Sequence, residues 1–493
     1  MGNSEGRTSC RPTFGVGLTY CRPLAPFLAA RADLIDVVEV SPETLFLPDG
    51  HGAYLSDETE FVRLMEFPAP KVIHGIGNPI GGSAPLDLPR LDLLASVVRR
   101  FSTDLVSEHL SFARVMRQEG CEFAGFLLPP RQTDEGVNVA ARSARSMAEH
   151  VNVQFAIENG VNYLQPRADE MADGEFVAAV AEAADVDILL DLHNAYTNER
   201  NGRQLLSAFV DALPLERVVE IHVAGGQPHD GYWLDAHCGA MPDAVFAFAK
   251  ELVSSLPNLR LINFELFPEF VGAFGVDGLA RELERCHELW SARHGTPLRR
   301  PRHRHSPIRV ARAPSPSTWE CELASLIAEP RSIQLPPDRE GGLAHEARHG
   351  SQGQLDDLKN DPGIALLNFL VSEFRAGMLA RALKLVTRLL LLYLGESTVR
   401  RIYADFFTTR PPEFFAALEA KAFARYLAGL YLDVPHLDAV VAFELALLSA
   451  SMQGVQTAIE FAGEPEQILT SLARGVRPPP PVPHVQRIVV KAD

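Results

Sequence analysis

Eight short apolar runs recur between residues 14 and 266, each separated from the next by helical periodicity. They are FGVGLTY from Phe14, IDVVEVS from Ile35, KVIHGIG from Lys71, DLVSEHL from Asp104, VQFAIEN from Val153, DILLDLHN from Asp187, VVEIHVAG from Val218 and RLINFEL from Arg260. Runs this continuous suit strands buried on both faces, as in parallel sheets. LPRLDLLASVVRRF after the third run and EFVAAVAEAA before the sixth read as amphipathic helices. Eight strand–helix units predict an α/β chain built as a (β/α)8 TIM-like barrel over residues 1–297, with a doubly wound sheet as the competing topology.

The chain changes character after this region. Residues 298–317 (LRRPRHRHSPIRVARAPSPS) hold six arginines, four prolines and no acid, the composition of an extended linker. A polar, glycine-rich stretch near Arg339–Gly353 reads as flexible. From Gly363 to Ser451 apolar residues recur at three- and four-residue spacing (Leu366, Phe369, Leu370, Phe374), which predicts helices. The tail alternates: QTAIEF and QRIVV read as strands around a helix in EPEQILTSLARG. Residues 318–493 are therefore expected to form a mainly helical second domain with a small α+β C-terminal segment.

Composition narrows the functional classes. A formal net charge of −17 argues against nucleic-acid binding, which needs a basic face to neutralise phosphates. The six cysteines are scattered without a CxxC pair, so zinc-finger and thioredoxin-like readings lack support, and reduced thiols in the cytoplasm are expected. MGNSEGRTSC has no basic segment followed by an apolar run, so no signal peptide is expected. Leu379–Leu394 is interrupted by Arg381, Lys384 and Arg388 and is too short to span a bilayer.

The polar residues are distributed unevenly. Nearly every predicted strand ends, on its C-terminal side, in a residue type that binds metals. These are Glu39, His74, Glu108 with His109, Glu158 with Asn159, Asp191 with His193 and Asn194, His222, and Glu265; the loop WLDAHCG adds Asp235 and His237. In a barrel those positions meet at one mouth. Carboxylates and imidazoles buried together without positive charge are costly, and one or more bound cations remove that cost. Any single histidine here has an ordinary structural reading; the set as a whole points to metal. Imidazole and carboxylate without thiolate suit iron, manganese or zinc.

At these residues the chain resembles the multinuclear non-heme iron-dependent oxidase family. The matching segments are EVSPETLF, HGIGNPIGGSAPLD, LVSEHLSF, IENGVNYL, LLDLHNAY, EIHVAGG and DAHCGAMPDAVF, in family order. The resemblance implies an oxygen-dependent enzyme with two or three irons of mixed Fe(II)/Fe(III) state, acting on a ribosomally made precursor peptide, often at cysteine. By motif it implies His74, His109, Glu158, Asp191, Asn194, His222, Asp235, His237 and Glu265 as metal ligands; Glu158, Asp191 and His193 are expected to carry catalysis. Position 193 is His where relatives usually carry Asn, which leaves the metal stoichiometry open. Residues 318–493 resemble the family's usual partner protein, here fused, through SLIAEP, FLVSEFRAGMLARALKLVTRLL, LGESTVRRIYADFFTTRPPEF and HLDAVVAFELALLSA. That implies binding of the precursor's leader, with no separate partner protein needed. The rival readings are a metal-dependent hydrolase or isomerase on the same barrel, and a non-catalytic metal-binding peptide adaptor.

Overall fold

A computed structural model of the chain describes residues 11–48, 54–296, 314–329, 351–453 and 456–491. Eight parallel strands close into a barrel: β1 (Gly15–Thr19), β2 (Val37–Val40), β3 (Lys71–Gly75), β4 (Leu105–His109), β5 (Gln154–Glu158), β6 (Asp187–Asp191), β7 (Val218–Ala224) and β8 (Leu261–Glu265). Each pairs with its neighbours in sequence, and β8 closes on β1. This is the expected TIM-like barrel, and the doubly wound alternative is excluded by the closure.

Side chains alternate along each strand, which sorts the apolar runs into two uses. One set faces the surrounding helices and forms the main core, from Val16 and Leu18 to Ile262 and Phe264. The other points into the barrel. Its first layer, Val37, Val72, Leu105, Ala156, Leu189, Val219 and Leu261, is a buried apolar floor. Two residues further along the same faces come the polar side chains. In β7 the register slips between Ile188↔Val218 and Leu189↔Glu220, an irregularity that turns Glu220 and His222 inward beside Leu261 and Asn263.

An antiparallel hairpin, Phe112–Arg117 with Gly120–Leu128, follows β4. It carries the second half of the chain. Helices Pro316–Ala328 and Gly363–Ala382 pack on it, and Phe112, Val115 and Leu128 share one apolar cluster with Leu323, Ile327, Leu358, Ile364 and Leu367. At the centre Trp319 is buried between two guanidiniums, Arg131 and Arg167, whose Cζ atoms stand 4.5 and 4.8 Å from its ring. Arg131 pairs with Asp169 and Glu170, and Arg167 with Asp361 at 2.8 Å. Glu320 accepts from the Ser83 backbone nitrogen at 2.9 Å.

Beyond this seam, helices Lys384–Leu394, Glu396–Thr409, Ala416–Ala428 and Leu437–Gln453 enclose a second core, centred on Leu389, Phe406 and Phe423. Thr457–Phe461 and Gln486–Val490 pair as an antiparallel ribbon flanking helix Pro465–Ala473, as the alternation of the tail predicts. Of the stretch expected to be flexible near Arg339–Gly353, residues 339–350 lie outside the described residues, while Ser351 opens helix Ser351–Lys359. The expected linker 298–317 lies outside the described residues up to position 313, and a helix already starts within its expected span, at Pro316, capped by the Ser315 hydroxyl. Among the described residues one helix, Gly363–Ala382, is long and apolar enough to cross a membrane. It is half buried, and its Arg375 forms a buried 2.7 Å ion pair with Glu419.

Candidate metal centre

The C-terminal ends of the strands bring most of the expected residues together. His74 from β3, His109 from β4 and Glu158 from β5 form one group; Glu158, Asp191 from β6, His222 from β7 and Glu265 from β8 form another. Within each group one potential ligand atom per residue lies within 4.8 Å of all the others. Glu158 belongs to both: its Oε2 is 2.5 Å from His109 Nδ1 and 3.4 Å from His74 Nε2, while Oε1 is 3.7 Å from His222 Nδ1.

Neighbouring groups fix these side chains. Ser107 Oγ sits 2.9 Å from His74 Nδ1, which leaves Nε2 facing His109 and Glu158. Asp191 caps the helix that follows it, accepting from the Asn194 nitrogen at 2.6 Å. Asn159 clasps the Asp191 backbone through two hydrogen bonds, 2.9 and 3.0 Å. Asn194 turns its amide nitrogen toward Glu158 Oε1 at 3.5 Å.

Asp235, His237 and His193 form an adjoining set. His193 Nδ1 lies 2.7 Å from Asp235 Oδ1, which is also 3.1 Å from His237 Nε2. His237 Nδ1 faces Glu265 Oε2 at 3.6 Å, and its backbone adopts φ +43°, the left-handed region that few non-glycine residues occupy. The His237 loop packs closely on the end of β7: Cys238 N donates to Gly225 O at 2.9 Å, and a Cβ on Gly225 would come within 2.1 Å of Cys238 O. His193 is fully buried and belongs to neither of the two ligand groups. Glu108 turns out of the barrel, accepting from the nitrogens of Asn78 and His109 near Glu43.

Charge decides what this mouth can hold. Six carboxylates (Glu39, Glu158, Asp191, Glu220, Asp235 and Glu265) meet five histidines, and no Lys or Arg ion pair reaches them among the described residues. Burial and the neighbouring Glu158 charge push Asp191 well above the usual carboxylate range. Burial presses His109 and His237 downward, but Glu158 in one case and Asp235 with Glu265 in the other outweigh it, lifting them to about 9 and about 10. Burial would raise Glu265, yet His222 and His237 hold it well below its ordinary value. Asp191 Oδ2 and Asn194 Oδ1 are buried with no hydrogen-bond partner, and Glu158 Oε2, His222 Nδ1 and His237 Nε2 meet only other imidazole and carboxylate atoms of the cluster. Each such orphan costs about 1–3 kcal/mol. Unmet oxygens among carboxylates and imidazoles, all of ligand type, fit a multivalent cation centre.

Sequence reasoning passed over Glu220, Asn263 and Thr19, which face into the barrel beside Glu39. The signal was present: Glu220 stands two residues before His222 and Asn263 two before Glu265, on the same inward faces.

The family model of the RiPP precursor modification enzymes MbnB/TglH/ChrH matches residues 15–265, first barrel strand to last. The chain belongs to this family. The family's enzymes act on precursors of ribosomally synthesised, post-translationally modified peptides, and the ligand groups above lie within the matched span. A UPF0276 protein of Acinetobacter baylyi is 34% identical over 256 residues, covering 51% of this chain and 85% of that protein. A UPF0276 protein of Streptomyces avermitilis is 30% identical over 265 residues, 52% of each chain, so the match spans about half of that relative's length. A crystal structure of D-psicose 3-epimerase aligns at 12% identity and a TM-score of 0.34, covering 56% of this chain and 97% of that one. The family match ends at residue 265, ahead of the helical second half.

Proposed function

We propose that this family member is an oxygen-dependent, multinuclear non-heme iron oxidase that modifies a precursor peptide at a cysteine. The observation that carries the reading is the pair of ligand groups joined by one carboxylate, Glu158. A shared carboxylate between two all-N/O groups is the arrangement that holds more than one ion, and the donor set suits iron. Two or three irons, when bound, would supply redox chemistry with dioxygen that no side chain can perform.

The chain's own residues do the rest. His74, His109 and Glu158 would hold one ion, and Asp191, His222 and Glu265 with Glu158 another; Asn194, Asp235 and His237 complete the expected ligand set. Ser107, Asn159 and the helix-capping bond of Asp191 keep these donors aimed, which preserves ligand geometry. The apolar floor excludes water from below. Access comes from the side where His109, Asp235 and His237 retain 14, 18 and 13% side-chain exposure, so the peptide's cysteine approaches there. His193, buried against Asp235, orients that rim and stands where catalysis is expected along with Glu158 and Asp191.

The second domain is assigned to the leader. Among the described residues its C-terminal ribbon has two strands, and an extended leader could add a third through main-chain hydrogen bonds. Because the domain is docked on the hairpin beside the mouth, a separate partner protein is unnecessary. We place the enzyme in the cytoplasm, with neither nucleic acid nor membrane as a partner. Calorimetry of leader peptide against the full chain and against a chain ending at residue 485 tests the assignment. Equal affinity for both would remove the ribbon from leader binding.

A further inference from the structure

Below the mouth the barrel holds a second cluster: Glu39, Glu220 and the far side of His222. His222 is fully buried, and its two ring nitrogens serve different neighbours. Nδ1 faces Glu265 Oε2 at 3.3 Å and Glu158 Oε1 at 3.7 Å; Nε2 faces Glu39 Oε2 at 2.9 Å and Glu220 Oε1 at 3.5 Å. A neutral imidazole has one N–H and one lone pair, so whatever accepts from one nitrogen decides that the other is free to bind a cation. Glu39 is built to be that acceptor. Its other oxygen receives Thr19 Oγ1 at 2.6 Å and Asn263 Nδ2 at 2.8 Å, so the carboxylate cannot swing away. Glu220 packs behind it with neither oxygen in a hydrogen bond.

We propose that Glu39 is a positioning residue of the metal centre: by accepting from Nε2 of His222 it keeps Nδ1 turned toward Glu158 and Glu265 as a ligand. Glu220, on the same face, closes the space into which the ring could otherwise turn. The inference rests on the metal-centre reading above, and it assigns the lower cluster to orientation rather than to an ion of its own. Outer carboxylates of this kind change metal affinity by about 10–100-fold when removed.

The test is anaerobic Fe(II) titration of the metal-free full chain, following affinity and equivalents bound, for wild type, Glu39→Leu and Glu39→Gln. Zinc-loaded, 15N-histidine-labelled protein gives a second readout, the tautomer of His222, its signals assigned by their loss in His222→Gln. We expect Glu39→Leu to weaken iron binding about 10–100-fold with the number of equivalents unchanged. Glu39→Gln, which keeps an acceptor and the side-chain volume, should fall between it and wild type. The zinc-loaded wild type should show a protonated Nε2 and a bound Nδ1. Wild-type iron affinity and an unchanged tautomer in both variants would overturn the inference while leaving the metal centre intact. Loss of one whole equivalent from Glu39→Leu, with the rest binding normally, would overturn it in favour of a separate ion at Glu39 and Glu220. A wild type that binds no iron removes the metal centre and this inference together.

Discussion

Trp319→Ala tests whether the two halves of the chain form one working unit. Trp319 is buried at the seam, in contact with the apolar cluster around the Phe112–Leu128 hairpin and stacked between Arg131 and Arg167. Removing a buried tryptophan costs about 3–5 kcal/mol. Each lost guanidinium contact adds about 0.5–1 kcal/mol, though the terms overlap. A net loss of about 4–5 kcal/mol, all at the seam, corresponds to roughly a thousandfold or greater weakening of the contact between the halves, at 1.4 kcal/mol per factor of ten. The assay is proteolytic nicking within residues 298–313 followed by size-exclusion chromatography. The nicked wild type should elute as one species that still processes precursor, because the seam and not the linker holds the halves. The nicked variant should separate into barrel and helical domain at micromolar concentration. A nicked wild type that falls apart, or a nicked variant that stays together, would show that Trp319 does not hold the halves together.

His109→Ala and Glu158→Ala should each abolish precursor turnover while circular dichroism and the thermal midpoint of the metal-free protein change little, since both residues sit among orphaned polar atoms and not in the apolar core; near-normal turnover in either would withdraw that residue from the site. Iron at a hundredfold excess over its dissociation constant should stabilise the chain by about 2.7 kcal/mol, read as a higher thermal midpoint that reverses with a chelator. Burial pushes Glu320 up to about 7, against the hydrogen bonds from Ser83. Its folded value lies above its unfolded one, so the folded state holds the proton longer and stability should fall as pH rises from about 4.5 to 7, by at most about 1.4 kcal/mol per pH unit; denaturant titrations should show that slope in wild type and lose it in Glu320→Gln.

The barrel was legible because its physics is local. A strand buried on both faces must be apolar throughout, and eight such runs with helices between them leave few topologies. The mouth was legible for a related reason: polar residues at the ends of apolar runs, such as Glu158 and Glu265, are conspicuous where the fold is known to place function. Glu220 was harder to see. It interrupts a strand that also supplies Val219 to the floor, and only the register slip in β7 shows that both turn inward. His193 read as a possible ligand from its neighbours in DLHN, whereas its partner, Asp235, lies 42 residues away, and only the folded loop brings them together. The seam was illegible for the same reason. FARVMR and EFAGF alternate as strands should, but nothing in them indicates that their outer face meets Trp319.

The proposed iron centre at the mouth uses dioxygen on a peptide. The direct measurement is mass spectrometry of a cysteine-bearing precursor, encoded as a short reading frame beside this gene, incubated with anaerobically purified full-length protein under dioxygen and under argon, with metals counted in the same preparation. Two to three irons per chain are expected, with a mass change confined to the cysteine-bearing core and appearing only with dioxygen. Full turnover under argon, or by protein carrying a single zinc, would contradict the proposal.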